Sequence, residues 1–176
     1  MSRYSTHYWQ NSTWRDTQRR LDGHTLQHIA GNLFKKRGVE VGDVVCVVTV
    51  LGGNLFLCGK LRVRKICDVH HAAKDLHCEP QDLWEASEQI VASEATPMRF
   101  DHSVPLTVTA NLRFVQRKGS AGLKFVVPGY LDQQTMRGVR QLEPSSAAEL
   151  DSILPAMQVM KRHRPTTDRH SSDRLS

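Results

Sequence analysis

The sequence has 176 residues, of which 39% are hydrophobic and 24% charged, and this predicts one domain that can bury a core of its own. It contains no apolar run of about 18 residues and no apolar leader at its start, so we predict a soluble cytoplasmic protein without a membrane partner. The four cysteines stand singly, with no CxxC pair, and are interpreted as reduced, small hydrophobic side chains.

The formal net charge of +6 is concentrated at the two ends of the chain. Residues 1–37 hold seven Lys or Arg against two Asp or Glu, and residues 161–176 hold five against two. A basic surface favours a polyanionic partner, for which nucleic acid is the usual candidate. Basic ends that serve only solubility are the alternative.

The first predicted element is a strand over residues 7–10, within the aromatic stretch HYWQNSTW. A polar turn of residues 11–13 then leads to Trp14. In the following stretch, HTLQHIAGNLFKKRG, apolar residues recur at helical spacing. This pattern predicts a helix that begins after an N-cap at Asp22 and ends at Gly38.

A long β-hairpin is predicted next. The β-branched run VVCVVTV is typical of a buried strand, GGN of a tight turn, and LFLCGKLRVRKI of the returning strand. Alternation along the returning strand places Lys60, Arg62 and Arg64 on the face opposite Leu61 and Val63. The three cations form either a solvated face or a face that follows a phosphate backbone.

Residues 68–103 form an acidic insert, in which AAKDLH and DLWEASEQIV are predicted as short helices and Trp84 as a plug of the core. Nitrogen and sulfur side chains cluster at its start, but their spacing is that of no zinc finger or ribbon, so no metal site is predicted. These side chains are Cys67, His70, His71, His77 and Cys78.

Beyond the insert, PLTVTANLRFV and GLKFVV are predicted as strands, and GYLDQQTMRGVRQL as a short helix followed by a strand. A capping box of Ser146 and Glu149 indicates a final helix. Residues 156–176 are predicted to be a basic, disordered tail behind a domain of residues 1–155. The fold class is therefore α+β, a small and mostly antiparallel β-barrel surrounded by short helices.

Two tryptophans lie close together near the N-terminus, beside amide and hydroxyl side chains. Indole faces stack on nucleobases, and small polar groups can contact a base edge, so the stretch YWQNSTW has both kinds of group that a base pocket needs. The alternative is that Trp9 and Trp14 only cover one end of the barrel.

Several segments, in the same order, resemble the EVE-type domains of the PUA-like superfamily, which are relatives of the YTH, ASCH and SRA domains. The segments are the N-terminal YW pair, VGDVVCVVTV, GKLRV and RQLEPSSAAEL. The resemblance implies a barrel whose pocket accepts a flipped and often modified base. It implies Trp9 as the main wall, Trp14 as the second wall, Ser12 as a polar contact, and Arg137 and Arg140 as phosphate contacts.

Together these features predict a reader of nucleic acid without catalytic residues, cofactor or metal. A base lies between Trp9 and Trp14, and Asn11 and Ser12 contact its edge. The cations predicted to contact the nucleic-acid backbone are Arg15, Arg19, Arg20, Arg62, Arg64, Arg137 and Arg140. The resemblance favours modified DNA over RNA, in a bacterial restriction context with a partner nuclease.

Two other classes of function stay open. One is a small hydrolase or nuclease of ASCH type that acts on nucleic acid. The other is a protein-binding module that uses the acidic insert.

Overall fold

A computed structural model describes residues 1–161 and shows a mixed α+β fold built on one seven-stranded sheet. The strands in chain order are β1 (Tyr4–Tyr8), β2 (His28–Gly31), β3 (Val44–Leu51), β4 (Asn54–Cys67), β5 (Glu88–Ala95), β6 (Phe114–Val115), β7 (Ser120–Ala121), β8 (Phe125–Val127), β9 (Tyr130–Leu131), β10 (Val139–Gln141) and β11 (Gln158–Val159). The helices are α1 (Asn11–Leu21), α2 (Val69–Leu76), α3 (Leu106–Thr109) and α4 (Pro144–Ile153).

The main sheet has the strand order β10-β1-β3-β4-β5-β11, and β2 also pairs with β5. Strand β1 runs parallel to β3, whereas the other pairs are antiparallel. Two clusters of buried side chains cover the two faces of the sheet: Trp14 of α1 packs with Val45 and Val47, and Leu150 of α4 packs with Cys46 and Val48. The α+β class is confirmed, while a closed PUA-like barrel stays a prediction.

The β3–β4 hairpin is confirmed as predicted. All of β3 from Val44 to Val50 is buried, as expected for a β-branched run with neighbours on both sides. Gly52 and Gly53 make the turn with φ values of +56° and +76°, a backbone region that suits glycine.

The predicted helix between Asp22 and Gly38 is wrong, and so is the predicted turn at residues 11–13. Helix α1 begins at Asn11, and His28–Gly31 is the strand β2, which pairs with β5. Short apolar runs are compatible with both helical and strand periodicity. Here β5 offers a free backbone edge on the side away from β4, and pairing with that edge makes the segment a strand. The polar stretch NSTWRDTQRRL forms the helix because a single side of it, with Trp14 and Thr17, is buried.

The second helix predicted in the acidic insert is also wrong, because Glu88–Ala95 is the strand β5, which pairs with β4 on one side and with β2 and β11 on the other. Trp84 lies in the preceding loop with 42% of its surface exposed, so it does not plug the core. The first predicted helix is confirmed as α2.

In the C-terminal third, the structure agrees in part with the elements predicted from the sequence. The strand predicted from PLTVTANLRFV is mostly wrong, because Leu106–Thr109 forms α3 after Pro105. The short helical turn and strand before α4 are confirmed. The capping box is wrong: Ser146 Oγ accepts a hydrogen bond from the Arg113 backbone N–H at 2.8 Å, and Glu143 occupies the N-cap position.

The predicted tail starts too early. Gln158–Val159 pairs with Ala95 and Glu94 as β11, so the sheet extends past residue 155. The part of this tail after residue 161 lies outside the described residues. Within residues 1–161, no helix has both the length and the apolar character needed to cross a membrane.

Candidate functional site

A cavity of about 490 Å³ lies where the end of β1, one side of α1, the strand β2 and the loop after residue 83 meet. This volume is within the range of small-ligand sites. Its wall includes two tryptophans, Trp9 and Trp84, together with His7 and His28. Thr13 and Thr17 of α1, Asn32 and Glu85 supply further polar groups.

Trp9 is held rigidly at the junction of β1 and α1. Its backbone N–H donates to the Val48 carbonyl at 2.8 Å, and its own carbonyl accepts from Thr49 Oγ1 at 2.7 Å. Only 8% of the residue is exposed, and Trp9 belongs both to the buried core cluster and to the lining of the cavity. Trp9 therefore lies in the wall of the cavity, and its contact with a base stays a prediction.

Trp14 belongs to the core, and its predicted place as the second wall is corrected. The residue is 1% exposed and is absent from the cavity lining. Its ring packs edge-on against Phe100 at 5.0 Å and Phe56 at 6.3 Å between centroids. The cause is the helix over Asn11–Leu21, which turns this side chain towards the sheet instead of presenting it after a turn.

The second tryptophan of the cavity is Trp84, so its predicted place in the core is wrong. Its loop is tied down by hydrogen bonds: Gln89 Nε2 donates to the Trp84 carbonyl at 2.8 Å. The Ser87 N–H and Oγ both donate to Asn32 Oδ1, at 2.8 and 3.0 Å. A tethered and exposed indole at the edge of a cavity offers an aromatic face to a ligand.

His7 and His28 line the cavity as neutral side chains. His7 Nε2 lies 3.1 Å from the Ala30 carbonyl oxygen, so this nitrogen carries the proton and Nδ1 is an acceptor. Burial lowers the pKa of His7 to about 4 and also lowers the pKa of His28. Within residues 1–161, neither His7 Nδ1 nor His28 Nε2 has a hydrogen-bond partner.

The two predicted base-edge contacts, Asn11 and Ser12, do not line the cavity. Asn11 Oδ1 accepts from Thr49 Oγ1 at 3.1 Å, and Ser12 is exposed on the first turn of α1. The polar residue of α1 that faces the cavity next to Trp9 is Thr13. Thr13 and Thr17 are four residues apart in α1 and so lie on one face of the helix, and this spacing is the sequence signal that selects them.

Most of the cations predicted to contact a nucleic-acid backbone form ion pairs within the protein instead. Arg62 pairs with Glu94 at 3.2 Å and Arg64 with Asp75 at 3.2 Å, while Arg19 and Arg20 lie 3.5 and 3.7 Å from Asp16. Lys60, expected on the same face as Arg62, is buried and pairs with Asp151 of α4 at 2.7 Å. Arg15 and Arg137 are exposed and make no ion pair with a residue in 1–161.

Arg140, another predicted cation, lies in a second depression, which we call the β10 groove. It measures about 850 Å³ and follows the end strand of the sheet. Its lining residues are Arg37, Val115, Gln116, Arg117, Lys118, Val139, Arg140 and Gln141. Four of the eight are cations and none is acidic, so the groove is strongly basic.

The cavity and the β10 groove are neighbours. His7 lines the cavity, Val139 lines the groove, and the two are paired directly across β1 and β10. Facing residues of an antiparallel pair have Cα atoms roughly 4.5–5.5 Å apart. Asn32 and Arg37 both belong to the segment that follows β2; Asn32 lines the cavity and Arg37 lines the groove.

The potential zinc ligands of the acidic insert do not come together. Within residues 1–161, no three His, Cys, Asp or Glu side chains are grouped so that they could hold a metal ion. His71 instead bonds through Nδ1 to Asp68 at 2.7 Å, and Asp68 caps α2.

No family model matches this chain, and no curated protein or solved structure matches it at the significance threshold. The resemblance to EVE-type domains therefore depends on the sequence segments alone.

Proposed function

We propose that the protein is a nucleic-acid reader that takes one unpaired base into the cavity lined by Trp9 and Trp84. The observation that carries this proposal is the presence of two indoles in one cavity that adjoins a groove with cations and no acids. A cavity lined by aromatic groups suits a flat heterocycle, and the neighbouring cations suit the phosphates attached to it.

The two indoles differ in what they can contribute. Trp9 is anchored by its backbone hydrogen bonds and is 8% exposed, so it supplies a preorganised part of the cavity wall. Trp84 is exposed and loses accessible surface when a ring stacks on it. Stacking of a base on an aromatic side chain contributes about 1–3 kcal/mol.

The finer parts of the proposal come from the resemblance to EVE-type domains. They are a PUA-like barrel, a modified base in DNA, and a partner nuclease in a bacterial restriction system, which together imply a cytoplasmic protein. Burying one added methyl group contributes about 0.8 kcal/mol, which corresponds to about a fourfold preference for the methylated base.

Trp84→Ala tests the cavity. The probes are labelled single-stranded oligonucleotides of one sequence, in three forms: with a plain base, with a methylated base, and with an abasic site at the same position. We expect the substitution to weaken binding of the two base-containing forms by about 5- to 140-fold and to leave the abasic form unchanged.

Val126→Ala is the matched control, because Val126 is an apolar residue that is 65% exposed and lies outside the cavity. Equal losses for the abasic and base-containing forms would contradict base binding in the cavity. Cleaved or altered oligonucleotide after incubation would instead support the hydrolase of ASCH type.

A further inference from the structure

We infer that the β10 groove is the phosphate-binding site of the protein and that Arg37, Arg117, Lys118 and Arg140 hold a nucleic-acid backbone there. The inference rests on the proposed function in one respect: it takes the polyanion to be the strand whose base enters the cavity. It replaces the predicted backbone contacts at Arg62 and Arg64 with a different surface.

The first observation is the lack of charge compensation in the groove. Cations on β4 are neutralised by carboxylates at 2.7–3.3 Å, as in the Arg62–Glu94 and Lys65–Asp75 pairs. Within residues 1–161, the four cations of the groove make no ion pair, although they come from three separate segments. Cations that converge without a carboxylate repel one another, and an anion between them relieves that repulsion.

The second observation is that Arg140 is preorganised. Its guanidinium carbon lies 4.0 Å from the centre of the Phe114 ring, and Nη1 donates to the Thr135 carbonyl at 2.5 Å. Burial, followed by the charge of Arg37, lowers the pKa of Arg140. An arginine keeps its proton in a protein, so a fixed and half-buried charge faces the groove. A guanidinium in a fixed orientation suits the oxygens of a phosphate group.

The third observation is how Arg117 and Lys118 are presented. They lie at the turn between β6 and β7, which Gln116 closes by donating its N–H to the Gly119 carbonyl at 3.0 Å. Gly119 has a φ value of +82°, a region that favours glycine. The turn therefore holds two exposed cations in the lining of the groove, which also includes Arg37.

Proximity to the cavity defines the class of ligand. His7 of the cavity and Val139 of the groove are paired across β1 and β10, so we expect a strand in the groove to lie close enough for one turned-out base to enter the cavity. The ligand is then a single strand, or a duplex opened at one nucleotide, whose backbone follows β10. Bases inside an intact duplex remain stacked and cannot enter the cavity.

Arg117→Glu combined with Lys118→Glu tests the groove. The matched control is Lys74→Glu combined with Lys161→Glu, which makes the same change in charge in a different depression, beside β5. Binding is measured by fluorescence anisotropy with a labelled single strand of about 12 nucleotides and with its abasic counterpart, over a series of NaCl concentrations. Thermal unfolding of both variants checks that they are folded.

We expect the groove variant to lose at least about tenfold in affinity for both strands, while the control loses less than about threefold. The slope of log K against log salt is expected to fall by about 1.4 in the groove variant, because each lost phosphate contact on a single strand removes about 0.7.

Equal losses in the groove variant and the control would overturn the inference, since only the overall charge would then matter. Wild-type affinity of the groove variant would overturn it as well. If the groove variant fails on both strands but Trp84→Ala leaves binding unchanged, the groove stands and the base pocket fails. Absence of binding by the unsubstituted protein at about 50 mM salt would overturn both.

Discussion

Trp14 and Trp84 are the same residue type in two different surroundings. Trp14 is enclosed between α1 and the sheet, next to Phe56 and Phe100, and is 1% exposed. Trp84 is 42% exposed on a loop that hydrogen bonds hold at the edge of a cavity. Burial of Trp14 already contributes to folding, whereas the exposed face of Trp84 remains available to a ligand. The difference shows that proximity in sequence to Trp9 was a poor guide to which indole shares its cavity.

The largest effect on stability is expected for Trp14→Ala. Removing a fully buried indole leaves a cavity between α1 and the sheet, and we expect a loss of about 3–5 kcal/mol in the free energy of unfolding. Chemical denaturation measures this loss. A loss below about 1 kcal/mol would mean that Trp14 is not part of the core, and the contrast with Trp84 would no longer hold.

The burial of His7 predicts how the stability of the protein changes at acidic pH. Folding holds its pKa at about 4, against 6.5 as its ordinary value, so between these pH values the unfolded chain binds the extra proton. The contribution of neutral His7 to the free energy of unfolding is fully present above about pH 6.5. It is lost as the pH falls towards 4, and the total loss is about 3 kcal/mol.

His7→Gln isolates this contribution from those of the other titrating groups. Denaturant titrations of both proteins between about pH 4 and pH 7 should show a smaller loss of stability with acid in the variant. The same pH dependence in both proteins would contradict a neutral, buried His7.

Gly31 lies between the core and the cavity. A Cβ atom there would be 2.8 and 2.9 Å from two ring carbons of Phe34, which is fully buried, so the surrounding core would have to shift. We expect Gly31→Ala to destabilise the protein by about 1–3 kcal/mol, measured by thermal or chemical unfolding. Gly122→Ala is the control, because its nearest contact would be 3.5 Å; equal effects would contradict the predicted clash.

Trp84→Ala is expected to have the smallest effect on stability, below about 1 kcal/mol, because 42% of the residue is exposed already in the folded protein. The same unfolding measurement used for Trp14→Ala compares the two tryptophans directly. Combined with the expected loss of base binding, this result would separate the indole that supports the fold from the indole that contacts the ligand. A loss as large as that of Trp14→Ala would contradict this separation.

The local sequence pattern was sufficient to predict the β3–β4 hairpin and α2. In the hairpin, a β-branched run, a two-glycine turn and a returning apolar strand agree with one another, so no competing structure satisfies the same residues. The strand predicted over residues 7–10 is displaced, because β1 is Tyr4–Tyr8 and Trp9 follows it just before α1 begins at Asn11.

Local pattern was insufficient where two structures fit the same residues. Leu26, Ile29 and Phe34 are buried in the structure, as a helix would also have required, but pairing with β5 made His28–Gly31 a strand. The same applies to Glu88–Ala95, whose charged start resembled an exposed helix and which nevertheless has neighbours on both sides in the sheet.

The sequence by itself determined the α+β class and the central hairpin, since both follow from patterns among neighbouring residues. Only the tertiary structure decided that Trp84 joins Trp9, that Arg62 and Arg64 pair with carboxylates, and that Arg37 and Arg140 line one groove. The physical reason is that contacts between distant segments follow from strand pairing and packing, and sequence spacing does not encode those contacts.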